Sequence, residues 1–361
     1  MSAEGRSFKK TAAAALICAV VVFLCLNRLL PDKKAEEARG DYFFLGTVVH
    51  ISVYGQGKDF LGEELAGLEA EGKRLEKLFS ANIPDSDVRR ASDRQGKWVK
   101  VAEESYALVK RAVELSEDTD GAFDPALGRI TKLWKIGSDA ARVPEEEEIS
   151  ASLRCCGCKN IALKEEDGAY FIKVTGGALI DLGGIAKGRV ADIMVKKLAD
   201  DGIKSALIDL GGNLAVTGER PGGGKWRLGI QTPNRPRGEY FGTVSVSDCS
   251  VVTSGAYERY LEKDGVRYHH IFDPSTGRPA DSDFSSVTVI DRDSTKADAL
   301  STALFVMGRD GADGYLKEHK DIAAVFLLKG EKRVLVTEAA RSFFTAADAS
   351  LSVGGIGGAG N

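Results

Sequence analysis

Two periodicities divide most of the chain. Between Tyr42 and Tyr54 apolar and polar residues alternate, with a β-branched stretch Thr47-Val48-Val49-His50-Ile51-Ser52-Val53-Tyr54, which predicts a strand. Leu65, Leu68, Leu75, Leu78 and Phe79 recur at helical spacing and predict a helix over 63–79. Further helices are expected over 105–115, 145–153, 188–200 and 297–307, the last closed by Gly308 as a C-cap. Strands are expected at 206–210, 226–231, 240–247, 250–253 and 287–290. Hairpins are expected around Glu166-Asp167-Gly168 and around Lys329-Gly330. Short turns between strands force antiparallel pairing. The fold class expected is therefore α+β, with mixed, largely antiparallel sheets and packed helices. A faint echo links Ile180-Asp181-Leu182-Gly183-Gly184 with Ile208-Asp209-Leu210-Gly211-Gly212, each read as a strand ending in Asp and two Gly.

The two ends break these patterns. Lys9 and Lys10 precede an apolar run from Ala12 to Leu26, resumed at Leu29-Leu30. A positive flank before an apolar core reads as a signal-anchor or a signal peptide over 1–30. No A-x-A site follows it, which favours an uncleaved hydrophobic helix in the inner membrane, with the body on the periplasmic, extracytoplasmic side. Residues 31–41 are polar and read as a tether, 42–345 as the globular domain, and 346–361 as a Gly-rich flexible tail.

Composition narrows the function. The 361 residues carry 49 basic and 53 acidic side chains, a net charge of -4, so no basic excess exists to hold nucleic acid. Six Cys are too few for a disulfide scaffold. Cys155, Cys156 and Cys158 lack a fourth ligand nearby, so a structural zinc site is not expected.

Four clusters could carry chemistry. Thr119-Asp120-Gly121-Ala122-Phe123-Asp124-Pro125 is the first. In the second, Asp181 to Gly188, a glycine turn and Lys187 open a helix and could hold an anion; an ordinary Gly-rich turn reads equally well. In the third, Thr253 to Tyr257 precedes His269-His270-Ile271-Phe272-Asp273-Pro274-Ser275-Thr276-Gly277. The two His alternate, so one faces in and one out, and either a general base or an ordinary hydrogen-bonded His fits. In the fourth, Asp298 and Thr302 lie four apart on one helix face and could bind a hard cation. The competing reading is a capping box, with Thr295 as N-cap and Asp298 at the third helical position.

In order and spacing, these clusters together with Leu45-Gly46-Thr47, Phe79-Ser80, Trp134 and Leu210 to Asn213 resemble the ApbE family, the FAD:protein FMN transferases. The resemblance implies an ApbE-like, T-fold-like body that binds FAD and Mg2+. It implies transfer of FMN from FAD to a Thr or Ser hydroxyl of an exported target protein through a phosphoester bond, releasing AMP. Carried over by motif, FAD contacts fall on Leu45, Asn82, Ala122, Phe123, Asp124, Asp181, Lys187 and Phe272. Metal ligands fall on Gly184, Asp298, Ser301 and Thr302, and the catalytic base on His270. Phe123 would offer its ring to part of the flavin or adenine. Asn82 stands where the family has a Tyr, leaving Tyr54 and Trp134 as other rings for the cofactor. The implied acceptor is an FMN-carrying protein of a respiratory electron-transfer complex, of NADH:quinone reductase or Rnf type. Two alternatives stay open: a metal-dependent FAD pyrophosphatase giving FMN and AMP, and a non-enzymatic flavin-binding, lipoprotein-like protein.

Overall fold

The structure is a computed structural model and describes residues 35–359. The expected membrane segment and the first part of the tether lie outside the described residues. Among the described residues no helix is long and apolar enough to cross a membrane.

Nine strands form one sheet, in the order Glu36–Phe44, Thr47–Gly55, Ser205–Leu210, Asn213–Thr217, Cys249–Gly255, Phe284–Asp291, Ala323–Leu328, Arg333–Val336 and Ser352–Gly355. The pairings from Thr47–Gly55 through Arg333–Val336 are antiparallel, and the last is parallel. Helices Lys58–Phe79 and Ala186–Asp200 bury Leu61, Leu65, Leu68, Val190 and Met194 in one core cluster with Val49, Ile51, Ile208 and Leu210. A second cluster joins Val287, Val289 and Phe326 of the sheet to Leu300, Leu304 and Phe305 of helix Ser294–Glu318. In a third, Trp226, Leu228 and Val244 of the small sheet Trp226–Gln231, Tyr240–Val246 and Phe344–Ala346 pack on Val251 and Val325. The α+β class and the antiparallel pairing are those expected from the sequence.

Several boundaries differ. The expected strand 42–54 is a hairpin, because Leu45 and Gly46 both take positive φ, 53° and 67°. That is the geometry of a two-residue hairpin turn, and Leu is not a residue that announces one. The second half of the expected tether is the sheet's edge strand, Glu36–Phe44; its charged residues Glu36, Glu37, Arg39 and Asp41 suit an unpaired edge. Asp181 follows no strand: only an isolated bridge, Leu127 to Leu179, precedes it, so the echo with Ile208 to Gly212 is not a structural duplication. Gly308 does interrupt its helix, at φ 64° and ψ -173°, yet helical residues resume and run on to Glu318.

The expected flexible tail is structured. Ser352–Gly355 extends the sheet beside Arg333–Val336, and Ile356 is 4% exposed against Leu316 and Phe326 of the second cluster. The Gly357 N–H donates to Asp313 Oδ1 at 2.8 Å. Glycine-rich composition hid this because one buried isoleucine and a run of backbone bonds hold the segment. Ile356→Ala is therefore expected to cost about 2–4 kcal/mol in urea unfolding, as for other buried aliphatic truncations; no change would mean that the tail is free.

Candidate active site

Two helices build the centre of the site. Helix Ala186–Asp200 opens with the Gly-rich turn, and helix Ser294–Glu318 crosses close to that opening. The approach requires glycine. A Cβ on Gly188 would lie 2.2 Å from the Ser294 carbonyl oxygen and 2.8 Å from Thr295 Cα. Backbone atoms are the obstacle, so no rotamer relieves it.

The close approach lets each helix cap the other. The first amides of a helix have no partner within it. Asp192 accepts from the N–H groups of Ser294 at 2.8 Å and Thr295 at 2.9 Å, and from the Thr295 hydroxyl. In return Asp298 Oδ2 accepts from the Gly188 N–H at 2.9 Å. Burial lifts the Asp192 carboxyl above the ordinary aspartate range, against the pull of those bonds. The sequence-based capping box is overturned here. The N-cap is Asp293, whose side chain accepts from Lys296 N at 2.8 Å, and Thr295 serves Asp192 instead. Asp298 is thus free of its own helix terminus.

Around Asp298, which is 3% exposed, oxygen and cationic groups converge. Lys187 Nζ lies 3.3 Å from its Oδ1 and donates to the Gly183 carbonyl at 3.1 Å. Thr302 Oγ1 lies 3.5 Å from where a Cβ on Gly184 would stand, so these two predicted ligands are neighbours. Ser301 is fully buried, and its hydroxyl donates to the Asp298 carbonyl at 2.9 Å. Ser254, on strand Cys249–Gly255, reaches Ser301 Oγ at 2.8 Å and Thr302 Oγ1 at 3.2 Å. One carboxylate among hydroxyl and carbonyl oxygens is a hard donor set. It fits Mg2+, which keeps waters or substrate phosphates for its other positions. It does not fit zinc: among the described residues no three His, Cys, Asp or Glu side chains gather.

The two histidines differ in a way that their partners settle. His269 is buried; its Nδ1 accepts from Ile271 N at 3.3 Å and its Nε2 donates to the Ala280 carbonyl at 3.0 Å. Both nitrogens are engaged. In His270 the Nδ1 lies 3.1 Å from the Arg259 carbonyl, which only accepts, so Nδ1 carries the proton. Its Nε2 is then an unprotonated lone pair, with no partner among the described residues. The same carbonyl accepts the His270 backbone N–H at 3.1 Å, which fixes the ring's base. Desolvation, then the charges of Arg259 and Lys187, push the His270 pKa down to about 3.

The other predicted contacts divide. Leu45 is half-buried at the hairpin tip, its N–H bonded to Glu76 Oε1 at 2.7 Å. Asn82 is exposed and donates its N–H to Ser80 Oγ at 3.2 Å. Asp181 accepts from Gly183 N at 2.9 Å, and Asp124 from Ala126 N at 2.8 Å. Burial pushes the Asp124 carboxyl up. Ala122 is half-buried against the first core cluster. Two of the rings are buried. Phe123 is 4% exposed, with its Cε2 3.2 Å from where a Cβ on Gly184 would stand. Phe272 is 6% exposed, with its ring 5.8 Å from that of Trp134. Nor can Trp134 or Tyr54 stand in for the missing Tyr. Trp134 is fully buried and bonded to the Gly277 carbonyl, while Tyr54 packs on Trp226 and bonds Glu37.

Sequence reasoning missed Asp192, Glu258 and Arg259, and gave Ser254 no role of its own within its cluster. Desolvation pushes the Glu258 carboxyl up, against Arg237, Arg259 and Lys187, although much of the residue's surface is open. Only the Thr253 to Tyr257 run, read as a cluster, pointed near them. The glycine approach is open to test. Gly188→Ala is expected to cost about 1–3 kcal/mol, the range of overpacking, whereas a Cβ on Gly183 meets only the Asp181 side chain. Thermal unfolding of the two variants compares them; equal stability would refute the backbone clash.

The comparisons agree with this architecture. The sequence model of the ApbE family matches residues 45–326. A protein of Treponema pallidum (strain Nichols) described as a FAD:protein FMN transferase is 40% identical over 306 residues, covering 80% of this chain and 84% of its own. One of the same description from Escherichia coli (strain K12) is 30% identical over 292 residues, 80% of this chain and 82% of its own. The crystal structure of the ApbE protein from Thermotoga maritima superposes with a TM-score of 0.77 at 36% identity, covering 85% of this chain and 99% of that one. The apo flavinyl transferase ApbE of Pseudomonas stutzeri gives 0.76 at 29% identity, covering 88% and 100%. With that matched span, these identities and a shared fold, the chain belongs to the ApbE family.

Proposed function

We propose that this chain transfers FMN from FAD to a Thr or Ser hydroxyl of an exported protein, with Mg2+ and with release of AMP. One observation carries the reading. The Arg259 carbonyl engages Nδ1 of His270 and leaves its Nε2 as a proton acceptor, and Lys187 lies 3.3 Å from Asp298 Oδ1 in the oxygen cluster. On this reading the proton acceptor and the oxygen cluster serve one reaction. The relatives described as FAD:protein FMN transferases support flavin as the cargo.

The residues suggest a division of labour. A hydroxyl is a poor nucleophile at neutral pH, and His270 Nε2 can take its proton as the oxygen attacks phosphorus. The new bond joins that oxygen to the phosphorus of the FMN half. The bond that breaks is the one from this phosphorus to the bridging oxygen, which leaves with AMP. Lys187 offsets charge on the phosphoryl oxygens. A divalent cation held by Asp298, Thr302 and the Gly184 carbonyl would supply further charge neutralisation there. Ser301 contributes through its carbonyl, since its hydroxyl is engaged elsewhere. Lys187 already shares the Asp298 carboxylate, so phosphate oxygens that draw Lys187 to themselves should tighten cation binding further.

The wider reading follows the sequence. The Lys9-Lys10 flank and the apolar run to Leu30 support an anchor in the inner membrane with the body outside the cytoplasm. The acceptor would then be an FMN-carrying subunit of a respiratory electron-transfer complex. Intact mass of an acceptor domain after incubation with FAD and Mg2+ tests the reaction. The expected product is the acceptor plus FMN less water, with one AMP released per transfer. Free FMN and AMP beside an unmodified acceptor would favour the pyrophosphatase instead.

Two expectations concern the base. His270→Ala should lower transfer by about 10²–10⁴-fold with FAD affinity nearly intact, whereas His269→Ala should act mainly on stability. Equal loss of transfer from both would overturn the assignment. The pH dependence has a definite sign. The folded His270 pKa lies below the unfolded value, so the unfolded chain binds more protons between them and acid lowers stability in that window. The acid limb of kcat/KM that belongs to His270 should accordingly fall well below 6.5. The limb in kcat should lie higher, because bound pyrophosphate offsets Arg259 and Lys187. A His270-dependent limb of kcat/KM at 6.5, abolished by His270→Gln, would contradict this.

A further inference from the structure

We propose that Ser254 is a positioning residue for the cation site: it turns the Thr302 hydroxyl so that its lone pairs face the cation. The proposal rests on the reading of Asp298 and Thr302 as cation ligands given above.

The argument is a count of protons. Ser254, Ser301 and Thr302 each carry one hydroxyl proton and two lone pairs. Ser301 Oγ lies 2.9 Å from the Asp298 backbone carbonyl, which only accepts, so the Ser301 proton is engaged there. The 2.8 Å contact between Ser254 and Ser301 must then use the Ser254 proton. With that proton engaged, the 3.2 Å contact between Ser254 and Thr302 must use the proton of Thr302. The result is a one-way relay, from Thr302 to Ser254 to Ser301 to the Asp298 carbonyl. The rival acceptor for Thr302 is that same carbonyl, and it lies farther off, at 3.5 Å.

A cation repels a hydroxyl proton and attracts the lone pairs. Directing the Thr302 proton toward Ser254 on strand Cys249–Gly255 leaves its lone pairs for other neighbours, Gly184 among them. Partners that orient a ligand in this way commonly matter nearly as much as the ligand itself. The relay also gives Ser301 its role. Its hydroxyl is the relay's middle member, bonded on both sides, and is not a side-chain ligand. Ser254 sits on a different element from every predicted ligand, held in register opposite Val287. The sheet, not the helix alone, thereby sets the ligand's orientation.

The test is a thermodynamic cycle on the full chain, stripped of metal and titrated with MgCl2 alone, with thermal unfolding as the readout. Ser254→Ala should weaken Mg2+ binding by about 10-fold, the lower end for such orienting partners. Ser254→Thr, which keeps the hydroxyl, should stay close to wild type. In a Thr302→Ala background, Ser254→Ala should add no further loss, because it acts through Thr302. The unfolding temperature without Mg2+ separates damage to the strand from damage to the site. Unchanged Mg2+ affinity in Ser254→Ala, or an equal further loss in the Thr302→Ala background, would overturn the proposal. If Thr302→Ala itself binds Mg2+ like wild type, the ligand reading falls and this proposal falls with it.

Discussion

Reciprocal capping of two helices is the constraint on which the site depends. Asp192 on one helix satisfies the first amides of the other, and Asp298 returns the bond to Gly188. Each acid removes orphan donors that would otherwise be buried without partners. The exchange works only because Gly188 lets the backbones meet. It also gives partners to a carboxylate that is only 3% exposed: an amide and an ammonium group share it. The same bonds that hold the helices together place Asp298 beside Lys187 and Thr302.

From that pair the rest of the site extends outward. Strand Cys249–Gly255 brings Ser254 to the hydroxyls of Ser301 and Thr302, and its continuation through Arg259 holds His270 by ring and backbone. One strand and two helices thus hold the residues to which the proposed function gives the base and the cation. The histidine beside it, His269, is a structural residue with both nitrogens engaged, a distinction that the alternation of the two rings alone does not make.

Elements with a clear period were legible in the sequence. Helix 188–200 and strand 226–231 were placed within two residues, because their apolar spacing records a buried face. The constellation of Asp298, Thr302, Lys187 and Gly184 was legible through resemblance, and the structure brings these residues together. Other features leave no periodic trace. Leu45 turns a hairpin with a side chain that does not favour positive φ. Asp192 reads as a surface acid on a helix, and its partner is 102 positions away. Hydroxyl relays such as that of Ser254 depend on contacts across elements, which spacing cannot encode. Phe123 and Phe272 illustrate the converse: motif membership singled them out, while the burial of their rings leaves no mark in the spacing.

The most direct test of the capping account is hydrogen exchange at the single amide of Gly188. This N–H sits in the first turn of its helix, where no intrahelical partner exists. The account expects slow exchange in the native chain and fast exchange in Asp298→Ala, with amides deeper in the same helix, such as that of Met194, still protected. Protection of Gly188 that survives the loss of Asp298 would contradict it, because another group would then hold the helix start and the cross-capping would not organise the site.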